Sequence, residues 1–303
     1  MGDLHNFSDY ALRHAIERPA RAIGLTAARK VWLPALGTVL FAGILHAAPP
    51  AILEVGKFSA ASPQGPPPTG WRPLEFAKIP RHTSYSLVQD GGGVVVQAKS
   101  AAAASGLVRP IRIDPKQYPI VKWRWKVMNL IRAADVRAKA GDDYPARLYV
   151  TFEYDSARVG LPERAKFEAL RLLYGDYPPT AAIDYIWEGR EPRGSIVPNP
   201  YTSRVKMIVV ESGPSELGRW IDERRDLLAD YRQAFGDEPP AISGVAIMTD
   251  TDNTGESATA YYGDIVFARG NGEGRLGPDS SPSTAATLPV PSRKPSVPSF
   301  SPR

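Results

Sequence analysis

From residue 83 to residue 267 the chain repeats short stretches rich in apolar, β-branched and aromatic residues, some of them alternating with polar ones, separated by turn-forming residues. The stretches are 83–88, 94–98, 120–127, 148–154, 183–187, 205–210, 242–249 and 259–267. Short β-rich runs between turn signals read as β-strands, and where the period is two, successive side chains fall on opposite faces. In 120–127 the pattern sets Val121, Trp123, Trp125 and Val127 on one face and Lys122, Arg124 and Lys126 on the other, which predicts both tryptophans in a core. The run 242–248 is apolar or small at nearly every position, as expected of a central strand covered on both faces. Asp90-Gly91-Gly92-Gly93 supplies a hairpin turn between the first two strands.

Two stretches follow a helical period instead. In 162–174, Pro162 suits a first helical turn, and Phe167, Leu170 and Tyr174 share one side. In 216–235, Ser215 suits an N-cap, and a 100° step gathers Trp220, Leu227, Leu228, Tyr231 and Phe235 into a stripe. Arg224 falls inside that stripe. Its stem could pack on the core with the head in water, or its guanidinium could reach a carboxylate of the interior or of a ligand. The predicted fold is therefore all-β, a jelly-roll sandwich with two inserted helices.

The flanks differ from this core. Arg13, Arg18, Arg21, Arg29 and Lys30 precede an apolar run over 31–45 and then Ala47-Ala48, the order of a secretory signal. The run falls short of the roughly 18 apolar residues of a membrane span. Residues 1–48 are thus a signal peptide or an uncleaved anchor, and either places the remainder in the periplasm or outside the cell. Residues 49–70 are Pro-rich and read as a linker, 71–269 as the sandwich, and 270–303, dominated by Gly, Pro and Ser, as a disordered tail.

Composition then removes several chemistries. There is no Cys, which excludes disulfides, thiolate nucleophiles and Cys-ligated metals. Three of the four His precede residue 49, leaving His82 alone in the core. No G-x-S-x-G elbow accompanies it, and no phosphate-binding glycine motif opens a helix. The formal charge is +5, but residues 1–48 and 271–303 each contribute +2, leaving 28 basic and 27 acidic groups between them. A nearly balanced core has no overall basic excess for a phosphate backbone, so nucleic acid is not an expected partner.

Three clusters remain as candidate chemistry. Thr249-Asp250-Thr251-Asp252-Asn253-Thr254-Gly255 follows the buried strand, and Asp250, Asp252 and Thr254 before a glycine match the opening of a calcium loop. Tyr261 stands where that loop's bidentate Glu belongs, so a metal would need ligands from other strands. The same acids suit hydrogen bonds to ligand hydroxyls, and Asp, Asn and Gly are also ordinary turn formers. The second cluster is Asp142, Asp143 and Arg147 at the entry to strand 148–154, with Arg147, Tyr149, Thr151 and Glu153 expected on its exposed face. Adjacent carboxylates beside an Arg fit hydroxyl recognition, acid and base work, or a solvated ion pair. In the third, Asp184 and Glu188 alternate with Tyr185 and Trp187, where Trp187 is either core or a surface for stacking on a sugar.

The blocks H-T-S-Y at 82–85, W-R-W-K at 123–126, D-D-Y-P-A-R at 142–147, D-Y-R-Q-A-F-G at 230–236, T-D-T-D-N-T-G at 249–255 and Y-Y-G-D-I at 261–265 together resemble the bacterial family known as domain of unknown function 3047. The resemblance spans 71–267 and implies no mechanism. Y-Y-G-D-I is also similar to the last strand of galactose-binding-like jelly rolls, which are common in carbohydrate-binding modules. The expectation is an exported domain that binds a polysaccharide or a small polyhydroxylated ligand through Asp142, Asp143, Arg147, Arg224, Asp250, Asp252 and Asn253, with Trp187 as a stacking surface. The sequence specifies no cofactor with certainty, and calcium is the one metal the loop suggests. The alternative is an envelope hydrolase or lyase using two of the Asp residues as acid and base.

Overall fold

The computed structural model describes residues 50–162, 164, 165, 167, 168 and 179–270. The proposed signal, the tail and most of the first helical stretch lie outside these residues. Pairing along the chain begins with β1 (Ile52–Gly56), β2 (Arg72–Leu74), β3 (Ser84–Asp90), β4 (Gly93–Ala101), β5 (Ala104–Ile113) and β6 (Ile120–Val127). It continues with β7 (Arg147–Phe152), β8 (Ala181–Glu188), β9 (Ile196–Pro198), β10 (Val205–Ser212) and β11 (Ile221–Asp226). After helix α1 (Leu227–Phe235) come β12 (Ile242–Asp250) and β13 (Ser257–Ala268).

The strands form two sheets, ordered β11-β6-β13-β4-β3, with β1 on β13, and β2-β5-β12-β7-β8-β10-β9. Taking β4, β5, β6, β7, β8, β11, β12 and β13 as strands 1 to 8, the sheets run 1-8-3-6 and 2-7-4-5. These are the two interlocked Greek keys of a jelly roll. Alternation holds where the sequence predicts it, and Trp123 and Trp125 pack across the sandwich on Tyr185 and Trp187, with ring centroids 5.2 and 6.1 Å apart. Central β12 is buried along nearly its whole length.

Several expectations need correction. Part of the expected linker is structured, because β1 pairs with the end of β13 and Phe58 is fully buried against Trp71. The second helix is shorter than its apolar stripe predicts. Residues 221–226 instead form an edge strand on β6, and the helix begins after Asp226, whose carboxylate caps the Ala229 N–H. An edge strand with one wet face can satisfy a helical stripe by coincidence, and the backbone bonds offered by β6 decide the outcome. Arg224 consequently lies opposite Lys122 on the exposed side of β11, away from the acidic loops.

Candidate functional site

The site forms on the outer face of the second sheet, at the end where β7 begins and β12 stops. Leu148, Val150 and Phe152 of β7 face the sandwich interior, so Arg147 and Tyr149 face the other way. Tyr149 stands directly across from Asp184 of β8, and Asp250 follows two residues after Met248, the partner of Arg147 on β12. Three adjacent strands thereby bring an arginine, a tyrosine and two aspartates together. The loop before β7 folds over them, and Gly141 lets it pass, since a Cβ there would lie 2.6 Å from the Asp135 backbone nitrogen.

Arg147 is the hub, and contrary to the expectation of an exposed face it is 1% exposed. It donates Nε–H to Asp250 Oδ1 at 3.0 Å and Nη2–H to Asp250 Oδ2 at 2.8 Å, a two-pronged clasp. The same Nη2 donates to the Asp142 carbonyl at 2.6 Å, while Nη1 donates to the Tyr149 hydroxyl at 2.7 Å and to Asp184 Oδ2 at 3.4 Å. The Tyr144 ring covers the guanidinium at 4.2 Å. A guanidinium suits this place because it stays charged when buried and presents several donors in one plane.

Above this floor the loops tie to each other. Asp143 accepts the backbone N–H of Asn253 at 3.2 Å and of Thr254 at 2.6 Å. The turn expected from the glycine is present, with the Gly255 N–H closing on the Thr251 carbonyl at 3.0 Å and φ of +74°. Carboxylate oxygens of Asp143, Asp250 and Asp252 lie within 4.8 Å of one another. Asp252 is only partly buried and Asn253 lies beside it, its side chain donating to the Tyr201 hydroxyl at 3.3 Å. Thr254 Oγ1 accepts the Glu256 N–H at 3.3 Å.

The charge is unevenly compensated, since Asp142, Asp143, Asp184, Asp250 and Asp252 surround one guanidinium. Burial pushes Asp184 up to about 8, against the pull of Arg147. Burial, with Asp143 close by, pushes Asp252 up to about 6. Asp143 and Asp250 are also raised by burial, although backbone donors oppose this for the first and Arg147 for the second. Burial works against the Arg147 charge, but Asp250 and its neighbours outweigh it and the guanidinium is held above its ordinary value.

Of the candidate residues, Asp142, Asp143, Arg147, Asp250, Asp252, Asn253 and Thr254 meet here, and two do not. Trp187 is fully buried between the sheets with its indole N–H on the Gly213 carbonyl at 3.2 Å, so it offers no stacking surface. Arg224 is on the other sheet. Asn199 and Tyr201 are additions: Asn199 donates to Asp142 Oδ2 at 3.3 Å, and Tyr201 donates to the Lys139 carbonyl at 3.0 Å. They come from the β9–β10 connection, where no periodicity or spacing links them to the acids. A separate open depression, lined by Arg112, Glu153, Tyr154, Asp155 and Pro240, shares none of these residues.

Fold and site together define a jelly-roll domain with an acidic loop rim organised around a buried arginine. Residues 69–266 match a family model described as protein of unknown function (DUF3047), and the chain belongs to that family. No curated protein matches it. Among solved structures it is similar to the carbohydrate recognition domain of Emp47p, at 11% identity and a TM-score of 0.36 over 73% of this chain and 95% of that one. It is also similar to the glycoside hydrolase domain of Spr0440, Endo-D, from Streptococcus pneumoniae R6, at 8% identity and a TM-score of 0.26 over 65% of this chain. This chain spans about a fifth of that domain, 21% of its length. At such TM-scores neither likeness bears on what this chain binds.

Proposed function

We propose that the protein is an exported binding domain whose rim, formed by Asp252, Asn253 and Tyr201 and supported by Asp143 beneath, takes a polyhydroxylated ligand, with saccharides as the leading class. The observation that carries this reading is the convergence of the two acidic loops over a floor that Arg147 holds in place. Sugar hydroxyls donate to carboxylates and accept from amides, and a rim of both kinds on a fixed base loses little freedom on binding. Asp252 is the carboxylate such a ligand meets first, because Asp142, Asp143, Asp184 and Asp250 are buried.

Titration calorimetry of the full chain against cell-wall and extracellular polysaccharides tests this. At least one glycan should bind, and Asp252→Asn should weaken it about tenfold, the scale of one charge-assisted hydrogen bond. No heat with any glycan, or equal binding by the variant, refutes the assignment.

Calcium is a second reading of the same oxygens, supported by their mutual approach within 4.8 Å. It ranks lower because the Asp250 oxygens are already held by Arg147 and those of Asp143 by two backbone N–H groups. A melting temperature raised by calcium and restored by chelation would move it to first place. Acid and base catalysis by two Asp residues has less support. Such pairs face each other across a cleft at about 5–9.5 Å, whereas these carboxylates converge on one another.

A further inference from the structure

Between the two sheets, opposite the face that carries Arg147, lies a second pair of acids. Plain alternation along β10 would turn Glu211 outward with Met207 and Val209. The register slips between Val209 and Glu211, however, and Glu211 ends opposite the inward-facing Trp187. A bulge of this kind re-aims a side chain. On the other sheet Glu223 stands across from inward-facing Trp123 on the edge strand β11. Glu211 and Glu223 are 2% and 7% exposed, and their side chains lie within hydrogen-bonding reach.

The surroundings leave this pair short of donors. Oε1 of Glu211 and Oε1 of Glu223 are buried with no hydrogen bond, and so are the indole nitrogens of Trp123 and Trp125. Trp125 points its N–H toward Glu223 without completing a bond. The charged groups that face the pair are few. Arg193 Nη2 lies 2.9 Å from Glu211 Oε1, outside hydrogen-bond geometry, and its own side chain is 61% exposed. Glu216 adds a like charge near Glu211, and Arg225 lies along β11 from Glu223. Two facing carboxyl groups, one of them ion-paired to Arg193, can bond to each other in one way, by keeping a proton on one of them.

We propose that Glu211 and Glu223 form a carboxyl latch that joins β10 to β11 across the mouth of the sandwich while they share a proton, and drives the strands apart when both ionise. Burial, then the neighbouring Glu211, push Glu223 up to about 8, and burial raises Glu211 as well, so the pair titrates as a unit. A carboxyl raised in the folded state stabilises fully below its unfolded value and loses that contribution as pH rises through the folded one. The latch is therefore closed in mildly acidic solution and opens through about pH 8.

Thermal melts of wild type and Glu223→Gln from pH 4.5 to 9 test it. Gln keeps a donor toward Glu211 but cannot ionise. The two proteins should melt together at pH 4.5, and the variant should melt about 4 °C or more higher at pH 9. A constant offset at every pH overturns the latch. Should Glu223→Gln fail to fold, infrared titration of the wild type supplies the same test. A protonated carboxyl band should survive at pH 7 and be lost in Glu211→Gln, and a band insensitive to that change refutes the shared proton.

Discussion

The Arg147 nest and the Glu211–Glu223 pair are both buried collections of acid, and they neutralise themselves by different means. In the nest a permanent cation donates to three carboxylates and a phenol, while the loops add backbone donors. In the pair the ion-paired Arg193 is largely in solvent, and the proposed latch joins the two carboxyl groups through a shared proton. A guanidinium keeps its charge at any physiological pH, whereas a shared proton is lost when the solution turns alkaline. The first arrangement suits a rigid platform for the proposed ligand, and the second suits the proposed contact that solution conditions switch.

The largest expected effect comes from removing the cation. Arg147→Met should cost about 3–5 kcal/mol, because Asp142, Asp184 and Asp250 are left buried without the cation that faces them. Denaturant titration checks this, and a loss below about 1 kcal/mol would mean that water already screens the nest. Gly141→Ala should follow, at about 1–3 kcal/mol by the same measurement, since its Cβ would collide with the Asp135 backbone. Next comes pH dependence. Asp184, raised in the folded state to about 8, makes the protein less stable as pH climbs from about 4 through 8. Asp184→Asn should flatten that decline over the same pH range, read by denaturant titration. Its effect should add to that of Glu223→Gln, because Asp184 is on the outer face of one sheet and Glu223 on the inner face of the other. Coupled effects would show that the nest and the pair are one system. The smallest effect on stability belongs to Asp252→Asn, within about 0.5 kcal/mol of wild type. Its consequence lies in binding: because burial raises Asp252 to about 6, glycan affinity should fall between pH 7 and pH 5 in wild type and stay level in the variant.

Legibility in the sequence followed physical simplicity. Strand β6 ends where its alternation predicts, and β12 is as buried as its composition demands. Strand β5 escapes because Gly106 and Pro110 interrupt it, and its partner β12 shifts register beside Pro110 to accommodate the missing donor. The acids of the nest are legible because turn formers beside a buried strand stand out. Burial of Arg147 is not, since it depends on a loop folding over the outer face. Tyr201 and Asn199 are invisible because only the folded chain brings the β9–β10 connection to Asp142 and Asn253. Trp187 fails as a sugar platform for a related reason: an aromatic beside polar neighbours looks the same whether the sheet's other face is covered or open.

Strand β1 lies ahead of the span matched by the family, which starts at residue 69, and it pairs with β13 over Ile265, Val266, Phe267 and Ala268. A protein trimmed to the matched span would bare that flank of β13 and remove the carbonyl of Val55 that receives the Trp71 indole N–H. A bare apolar border of this sort is a template for a second molecule. Self-association would then arise from where the chain was cut, and would say nothing about the oligomeric habit of the protein itself.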